Sequence, residues 1–223
     1  MILPIIAYGS NVLKVKASPV DTEDPNLDKL IADMWETMYN ANGVGLAAPQ
    51  IGESLRLFVI DASPFAQEED LAPEEMEFLK DFKRVFINPK MIAETGEEWN
   101  FTEGCLSIPN IREDVSRKEE INIHFLDEQF KEQTLTLDGL AARIVQHEYD
   151  HIEGILFTDK LSPLKKRLLK GKLKNISKGN INSDKPIIDE SGFYLGGCNR
   201  GSKFVSDYNK AVKRLDINNN LLK

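Results

Sequence analysis

The feature that most constrains this chain is the run from His147 to His151, which has the pattern His-Glu-x-x-His. Residues four positions apart on an α-helix lie on the same face, one turn from each other. Two imidazoles placed in this way can bind one metal ion without distorting the backbone. Glu148 lies beside them and is not needed as a ligand, so it can move a proton to or from water. The pattern therefore predicts a hydrolytic metal site on a helix.

The residues around this pattern predict a helix over 138–154. Asp138-Gly139 is a suitable N-cap and Gly154 a suitable C-terminal stop. Leu140 and Ile144 continue the face of the two histidines at helical spacing, so this face points to a protein interior or a cleft. An accidental match is a poor explanation, because the chain has only three histidines and two of them fall in the pattern.

The two histidines do not complete a catalytic site, which usually has three protein ligands and one open position. No histidine follows His151, and Glu153 is too close on the same helix to converge on the ion. Upstream, Gly104 allows close approach of the backbone, and Cys105 offers a thiolate. A single cysteine is more often a small buried hydrophobe. The residues alone make Cys105 a candidate and leave the third ligand open.

Three segments together resemble the peptide deformylase family. In chain order they are Gly43-Val44-Gly45-Leu46-Ala47-Ala48-Pro49-Gln50, Glu103-Gly104-Cys105-Leu106-Ser107 and Gln146-His147-Glu148-Tyr149-Asp150-His151. The resemblance covers about residues 1–178 and implies a catalytic domain over that range. It implies a metal-dependent hydrolase that removes the N-formyl group from the N-terminal formylmethionine of newly synthesised polypeptides and releases formate.

The same resemblance implies the metal ligands and the proton-transfer group. Cys105, His147 and His151 would bind one divalent ion. The resemblance favours Fe2+ in the cell, and one thiolate with two imidazoles also suits Zn2+, Ni2+ or Co2+. Glu148 would act as the general acid and base, taking a proton from water and passing it to the leaving amine.

The resemblance also implies further catalytic and substrate-binding residues. The side-chain amide of Gln50 and the backbone N–H of Leu106 would stabilise the oxyanion, where one donor can contribute about 2.7–4 kcal/mol. Gly45 would line the site and contact the substrate backbone. The other residues implied to bind substrate are Val44, Glu103 and Ile144.

Two other functions remain open from the residues alone. The His-Glu-x-x-His pattern also occurs in metallopeptidases, which cleave internal peptide bonds. A non-catalytic protein with a structural metal is the third reading. Structural sites normally have four protein ligands, and no fourth is evident, since the remaining histidine, His124, lies in a predicted strand.

Hydrophobic periodicity predicts an α+β fold. An amphipathic helix is expected over 25–40, where the Met and Trp residues form part of the core. Strands are expected over 56–62 and 84–87, and a hairpin pairs 121–125 with 134–137. We therefore predict a mainly antiparallel sheet packed around the central metal-binding helix.

The composition is that of an ordinary soluble globular protein, with 223 residues, 41% hydrophobic and 29% charged. The net charge of −8 argues against general nucleic-acid binding. Two cysteines do not make a disulfide framework, and Cys198 is expected to be a bystander. The N-terminal stretch has no basic leader and is too short to span a membrane. We expect a cytoplasmic monomer without a membrane anchor.

Three regions stand out by composition. Residues 67–81 are acidic and predict an inserted surface element, helical after Pro73. Residues 160–178 hold eight Lys or Arg and no Asp or Glu, with an apolar stripe of Leu161, Leu164, Leu168 and Leu169. This basic helix is either a solvated face or a contact with ribosomal RNA. Residues 179–223 form a C-terminal extension of unknown role, such as a disordered tail, a packing arm or a partner segment.

Overall fold

The computed structural model describes residues 1–67, 71–180 and 187–188. Its helices and strands are, in chain order, β1 (Ile5–Ile6), α1 (Leu27–Asn40), β2 (Gly45–Ala47), β3 (Leu57–Asp61), α2 (Pro73–Lys80), β4 (Lys83–Cys105), β5 (Ile108–Leu126), β6 (Glu132–Leu137), α3 (Gly139–Ile152), α4 (Pro163–Ser177) and β7 (Ile187–Ile188). Short 3-10 turns lie at Asn11–Lys14, Ala48–Ile51, Ser63–Gln67 and Phe157–Asp159.

The five central strands form one antiparallel sheet in the order β2-β3-β4-β5-β6. β1 and β7 form a separate parallel pair. β4 and β5 are long, and register shifts interrupt their pairing at several points, as bulges do in a strongly bent ladder. The predicted α+β class with a mainly antiparallel sheet is confirmed.

The sheet separates two apolar layers because alternate side chains of a strand point to opposite faces. On β3, Phe58 and Ile60 pack in the cluster that contains the apolar side of α3. Val59, from the opposite face, packs with α1, where Met34 and Met38 are fully buried. The prediction that the methionines of α1 belong to the core is confirmed, and α3 is held against the sheet.

Helix α3 has the predicted limits, but its N-terminus is capped from elsewhere in the chain. The Asp138 side chain makes no capping hydrogen bond. Instead, Glu75 Oε1 of α2 accepts a hydrogen bond of 3.0 Å from the Leu140 backbone N–H. Gly139 has φ +53°, and a Cβ there would lie 2.4 Å from the same carboxylate oxygen. The acidic region is thus helical after Pro73, as predicted, and supports the helix that carries two of the predicted metal ligands.

Strand β4 extends far beyond the predicted segment 84–87, because it runs to Cys105. Its middle part, residues 92–98, is exposed on both sides and mostly polar. Such a strand lacks the apolar alternation on which strand prediction depends. The hairpin expected at 121–125 and 134–137 is present as β5 and β6.

Helix α4 presents a different apolar face from the one predicted. Leu164 and Leu168 are 67% and 72% exposed. The buried positions are Leu169, Leu173 and Ile176, which pack with the start of β5. The predicted stripe of four leucines was therefore wrong at Leu164 and Leu168. The face of α4 that packs against β5 consists of positions i, i+4 and i+7 counted from Leu169, and the two exposed leucines lie outside it.

Beyond Lys178 the structure describes little of the predicted C-terminal extension. Residues 179–180 and the strand β7 are described, whereas Cys198 lies outside the described residues. The boundary of the catalytic domain at residue 178 therefore stays a prediction. Within the described part of the chain, none of the helices is long and apolar enough to cross a bilayer.

Replacing Glu75 by alanine should destabilise the fold. The substitution leaves the Leu140 N–H without its acceptor and removes a carboxylate from the positive end of α3. Loss of a capping side chain costs about 1 kcal/mol, and urea unfolding should report this decrease. The matched control is Glu74→Ala, which removes an equal charge from the same turn of α2. Equal unfolding free energies for the two variants would contradict the capping role.

Candidate active site

The predicted metal ligands come together at the junction of α3 and β4. One donor atom from each of Cys105, His147 and His151 lies within 4.8 Å of the others. Cys105 Sγ is 3.2 Å from His151 Nε2. One thiolate and two imidazoles suit a borderline divalent ion such as zinc or iron, and the donor set therefore fits a bound metal.

His147 is oriented by a carboxylate behind it. His147 Nδ1 lies 2.9 Å from Glu103 Oε2. An ionised carboxylate only accepts hydrogen bonds, so Nδ1 carries the proton and donates it. In the neutral form of the ring, the lone pair is then on Nε2. A hydrogen bond of this kind fixes the tautomer and orientation of a metal-binding histidine.

Glu103 is itself held by two buried arginines. Arg117 donates from Nε to Oε1 at 2.6 Å and from Nη2 to Oε2 at 2.9 Å. Arg143 Nη1 donates to Oε1 at 3.1 Å. Burial by itself raises the pKa of Glu103, but the bonds from Arg117 and His147 outweigh it and hold this pKa well below its usual range. Glu103 is therefore ionised at neutral pH.

The same network includes a second acidic residue, Asp150, which lies on α3. Arg117 Nη1 donates to Asp150 Oδ2 at 2.5 Å, and Lys160 Nζ lies 3.2 Å from the same oxygen. Arg143 also donates to the carbonyl oxygens of Trp99 and Val115. Sequence reasoning missed these partners. The available signal was a charged residue, Arg143, on the apolar side of the motif helix, where it needs a buried partner.

Glu148 is buried but lacks such partners. Its side chain is almost inaccessible, and Oε2 has no hydrogen-bond partner among the described residues. Burial raises the pKa of Glu148 to about 7. Gly45 on β2 leaves room for this side chain, since a Cβ at Gly45 would lie 2.4 Å from Glu148 Oε1. The carboxyl group is thus confined next to the histidines with a pKa suited to proton transfer near neutral pH.

Gln50 points its amide donor toward the metal ligands. It lies in the 3-10 turn Ala48–Ile51, and its Oε1 accepts a hydrogen bond of 2.8 Å from the Ala47 N–H. Nε2 lies 3.5 Å from Cys105 Sγ and 3.5 Å from Ser107 Oγ. Because the oxygen is engaged by the backbone, the NH2 group must face the site. Leu106 follows Cys105 directly, in the turn between β4 and β5.

A cleft of about 870 Å³ opens at these residues. The predicted site residues that line it are Val44, Gly45, Gln50, Glu103, Cys105, Leu106, Ile144, His147 and Glu148. His151 lies behind them and is 1% exposed. The cleft has the size of a small-ligand or peptide site. All of the predicted residues except His151 line it, and His151 lies beside Cys105 and His147.

Comparison with known proteins identifies the family. Residues 2–167 match the family described as polypeptide deformylase. The chain belongs to this family. It is 63% identical over 182 residues to a peptide deformylase of Christiangramia forsetii, covering 82% of this chain and 93% of the relative. It is 58% identical over 179 residues to one of Flavobacterium johnsoniae, covering 80% and 91%.

Solved structures agree with this assignment. The crystal structure of a peptide deformylase from Legionella pneumophila is 41% identical, with a TM-score of 0.67, covering 80% of this chain and 96% of that one. The chain is therefore a metal-dependent hydrolase that removes the N-formyl group from newly synthesised polypeptides. This finding favours the deformylase reading over the metallopeptidase and the structural-metal protein.

Replacing Gly45 by alanine should reduce turnover strongly. The new methyl group would overlap Glu148 Oε1 and displace the carboxyl group from the histidines. A misplacement of about 1 Å can cost on the order of 10²-fold in rate, measured as kcat on a formyl-Met peptide. Gly171→Ala is the control, because a Cβ there meets nothing within 4 Å. Wild-type kcat in Gly45→Ala would contradict the close packing described here.

Proposed function

We propose that Cys105, His147 and His151 hold one divalent ion, and that this ion is Fe2+ in the cell. The binding of an ion rests on one observation, the convergence of three donor atoms within 4.8 Å beside a buried carboxyl group. The choice of Fe2+ rests on the resemblance to the family. When bound, the ion supplies Lewis acidity, which lowers the pKa of water and polarises a carbonyl oxygen. Zn2+, Ni2+ and Co2+ suit the same donors, so anaerobic metal analysis of freshly purified protein tests the identity of the ion.

Glu148 moves the protons of the reaction. It takes one proton from the attacking water and delivers it to the amine nitrogen as the C–N bond breaks, leaving formate and a free N-terminus. Its pKa of about 7 supports both steps, since burial brings the acid and base forms close in free energy. Its Oε2 is buried without a hydrogen-bond partner among the described residues, so this oxygen is free to accept the proton.

Gln50 and Leu106 stabilise the negative charge that develops on the formyl oxygen. Gln50 Nε2 is already turned toward Cys105, because Ala47 holds the amide oxygen. The Leu106 backbone N–H follows the cysteine in the same turn. Donors fixed before the reaction stabilise charge without reorganisation, which makes the position of Gln50 in a buried turn favourable.

The methionine side chain of the substrate packs against Val44 and Ile144, which line the cleft. Gly45 contacts the substrate backbone, since the absence of a side chain permits close approach. Both oxygens of Glu103 are engaged by Arg117, Arg143 and His147. Glu103 therefore contributes to substrate binding mainly through the orientation of His147.

Glu148→Ala and Cys105→Ala should separate proton transfer from metal binding. Glu148→Ala should retain the metal and lose turnover by about 10²–10⁴-fold, because only the proton carrier is removed. Cys105→Ala should lower the metal content well below one ion per chain. Both quantities are measured on the same samples, as metal per chain and kcat on a formyl-Met peptide. Loss of metal from Glu148→Ala, or full metal content in Cys105→Ala, would refute these roles.

We further propose that the protein works as a cytoplasmic monomer whose helix α4 contacts the ribosome. Arg167, Lys170 and Lys174 on α4 are exposed. Leu164 and Leu168 are exposed beside them, at i and i+4. The protein has a net charge of −8, but the exposed face of α4 is cationic. An anionic RNA surface is therefore attracted to this face, although the protein as a whole is negatively charged. The substrate is the formylated chain that emerges from the ribosome. Attachment of the enzyme to the ribosome therefore raises the local concentration of substrate.

The double variant Arg167→Glu/Lys170→Glu should weaken co-sedimentation with ribosomes at low salt. Attraction to phosphates falls steeply with salt and with each cation removed. Lys90→Glu/Lys131→Glu is the control, since it makes the same charge change at exposed positions outside α4. Equal co-sedimentation of the two variants would contradict a contact through α4. The oligomeric state is measured by analytical ultracentrifugation.

A further inference from the structure

One exposed cation lies at the mouth of the cleft. Of the charged residues that line it, Glu103, Arg143 and Glu148 are buried, whereas Arg112 is exposed. The Arg112 side chain forms no hydrogen bond or ion pair with another residue in the described ranges 1–67 and 71–180. The buried charges serve the metal ligands and the proton transfer, so Arg112 is the charge that remains available to a ligand.

The position of Arg112 follows from the pairing of β4 and β5. Arg112 lies opposite Gly104, which directly precedes Cys105. A Cβ on Gly104 would lie 3.3 Å from Arg112 Cγ and 3.5 Å from Nε. The arginine side chain therefore runs across this glycine, next to the segment that carries the cysteine ligand and Leu106.

The direction of the substrate brings its later residues to this rim. The formyl group reacts at the buried end of the cleft, near His147 and Glu148. The chain after the methionine then leaves toward solvent across the exposed rim, which consists of Asn42, Thr102, Gly104, Asn110 and Arg112. A guanidinium at this point meets whatever charge the substrate carries downstream.

We propose that Arg112 is a specificity-determining residue that binds a carboxylate of the substrate downstream of formylmethionine. The inference rests on the proposed function and names a preference within it. Guanidinium binds carboxylate through two parallel N–H donors. The carboxylate has two sources, an Asp or Glu side chain close after the methionine, or the C-terminus of a short peptide. In a growing chain, the side chain is the source near the cleft.

The effect has the size of an exposed ion pair. Such a pair changes kcat/KM by about two- to five-fold. The change falls mainly on KM, because the contact is present in both the bound substrate and the transition state. It should decrease as salt is raised from low to high ionic strength, since exposed charges are screened.

The test compares four substrates with the metal-loaded enzyme: formyl-Met-Ala-Asp amide, formyl-Met-Ala-Lys amide, formyl-Met-Ala-Ser amide and formyl-Met-Ala-Ser with a free carboxylate. Wild-type kcat/KM should be higher for Asp than for Lys. Arg112→Glu should invert this ratio, and Arg112→Gln should bring it close to one. Arg112→Lys should retain the direction of the preference.

Arg84→Glu is the matched control, because it makes the same charge change at an exposed arginine outside the cleft. It should keep the wild-type ratio. If kcat/KM is higher for the Asp amide than for the Ser amide, the preferred carboxylate is that of a side chain. If kcat/KM exceeds that of the Ser amide only for the Ser peptide with a free carboxylate, the preferred carboxylate is that of the C-terminus. An unchanged Asp-to-Lys ratio in Arg112→Glu would overturn the inference while deformylation remains. Absence of turnover on all four peptides would overturn the proposed function, and this inference with it.

Discussion

The buried carboxylate of Glu103 is the group on which the arrangement of the site depends. It joins β4, β5 and α3, because its partners Arg117, Arg143 and His147 come from the other two elements. A buried charge is tolerated only when it is paired and hydrogen-bonded. Two arginines face two carboxylates here, with Asp150 as the second. Because the positive and negative charges are equal in number, this network can be buried beneath the cleft. The network in turn fixes the orientation of the His147 ring.

The site contains two buried carboxyl groups with opposite surroundings. Glu103 receives hydrogen bonds from two guanidinium groups and an imidazole, so its pKa is lowered. Glu148 is buried without comparable partners, and its pKa rises to about 7. Environments that separate the pKa values of neighbouring acids also separate their roles. One group remains a charged support, and the other is able to carry protons. Gly45 preserves the difference, because it leaves space for Glu148 in its unpaired position.

The sequence predicted those features that arise from local pattern. The limits of α3 follow from helical spacing, and the convergence of His147 and His151 follows from that helix. Cys105 became a firm prediction only through the resemblance of three separate segments to a family. The fold class was also predicted, since β3, the hairpin of β5 and β6, and α1 have clear periodicity.

Features that depend on long-range contacts were not predictable in this way. Glu75 caps α3 from 65 positions away in sequence, and no local signal links the two. Arg117 and Arg143 meet Glu103 only after β4, β5 and α3 have assembled. The central part of β4 is polar on both sides, so nothing in its composition distinguishes it from a loop. For α4, the choice between possible apolar faces was made by packing against β5.

The most direct test is the metal affinity of Glu103→Gln, measured by competition with a chelator on protein whose folding is verified by near-UV circular dichroism. Glutamine keeps the shape of the side chain but removes the charge that holds His147 and the two arginines. Loss of such a support lowers metal affinity by about 10–100-fold. Glu113→Gln is the control, since it removes the carboxylate opposite Glu103 on β5. The metal affinity of Glu103→Gln should therefore fall, whereas that of Glu113→Gln should equal the wild-type value. Wild-type affinity in a folded Glu103→Gln protein would contradict the supporting role of Glu103.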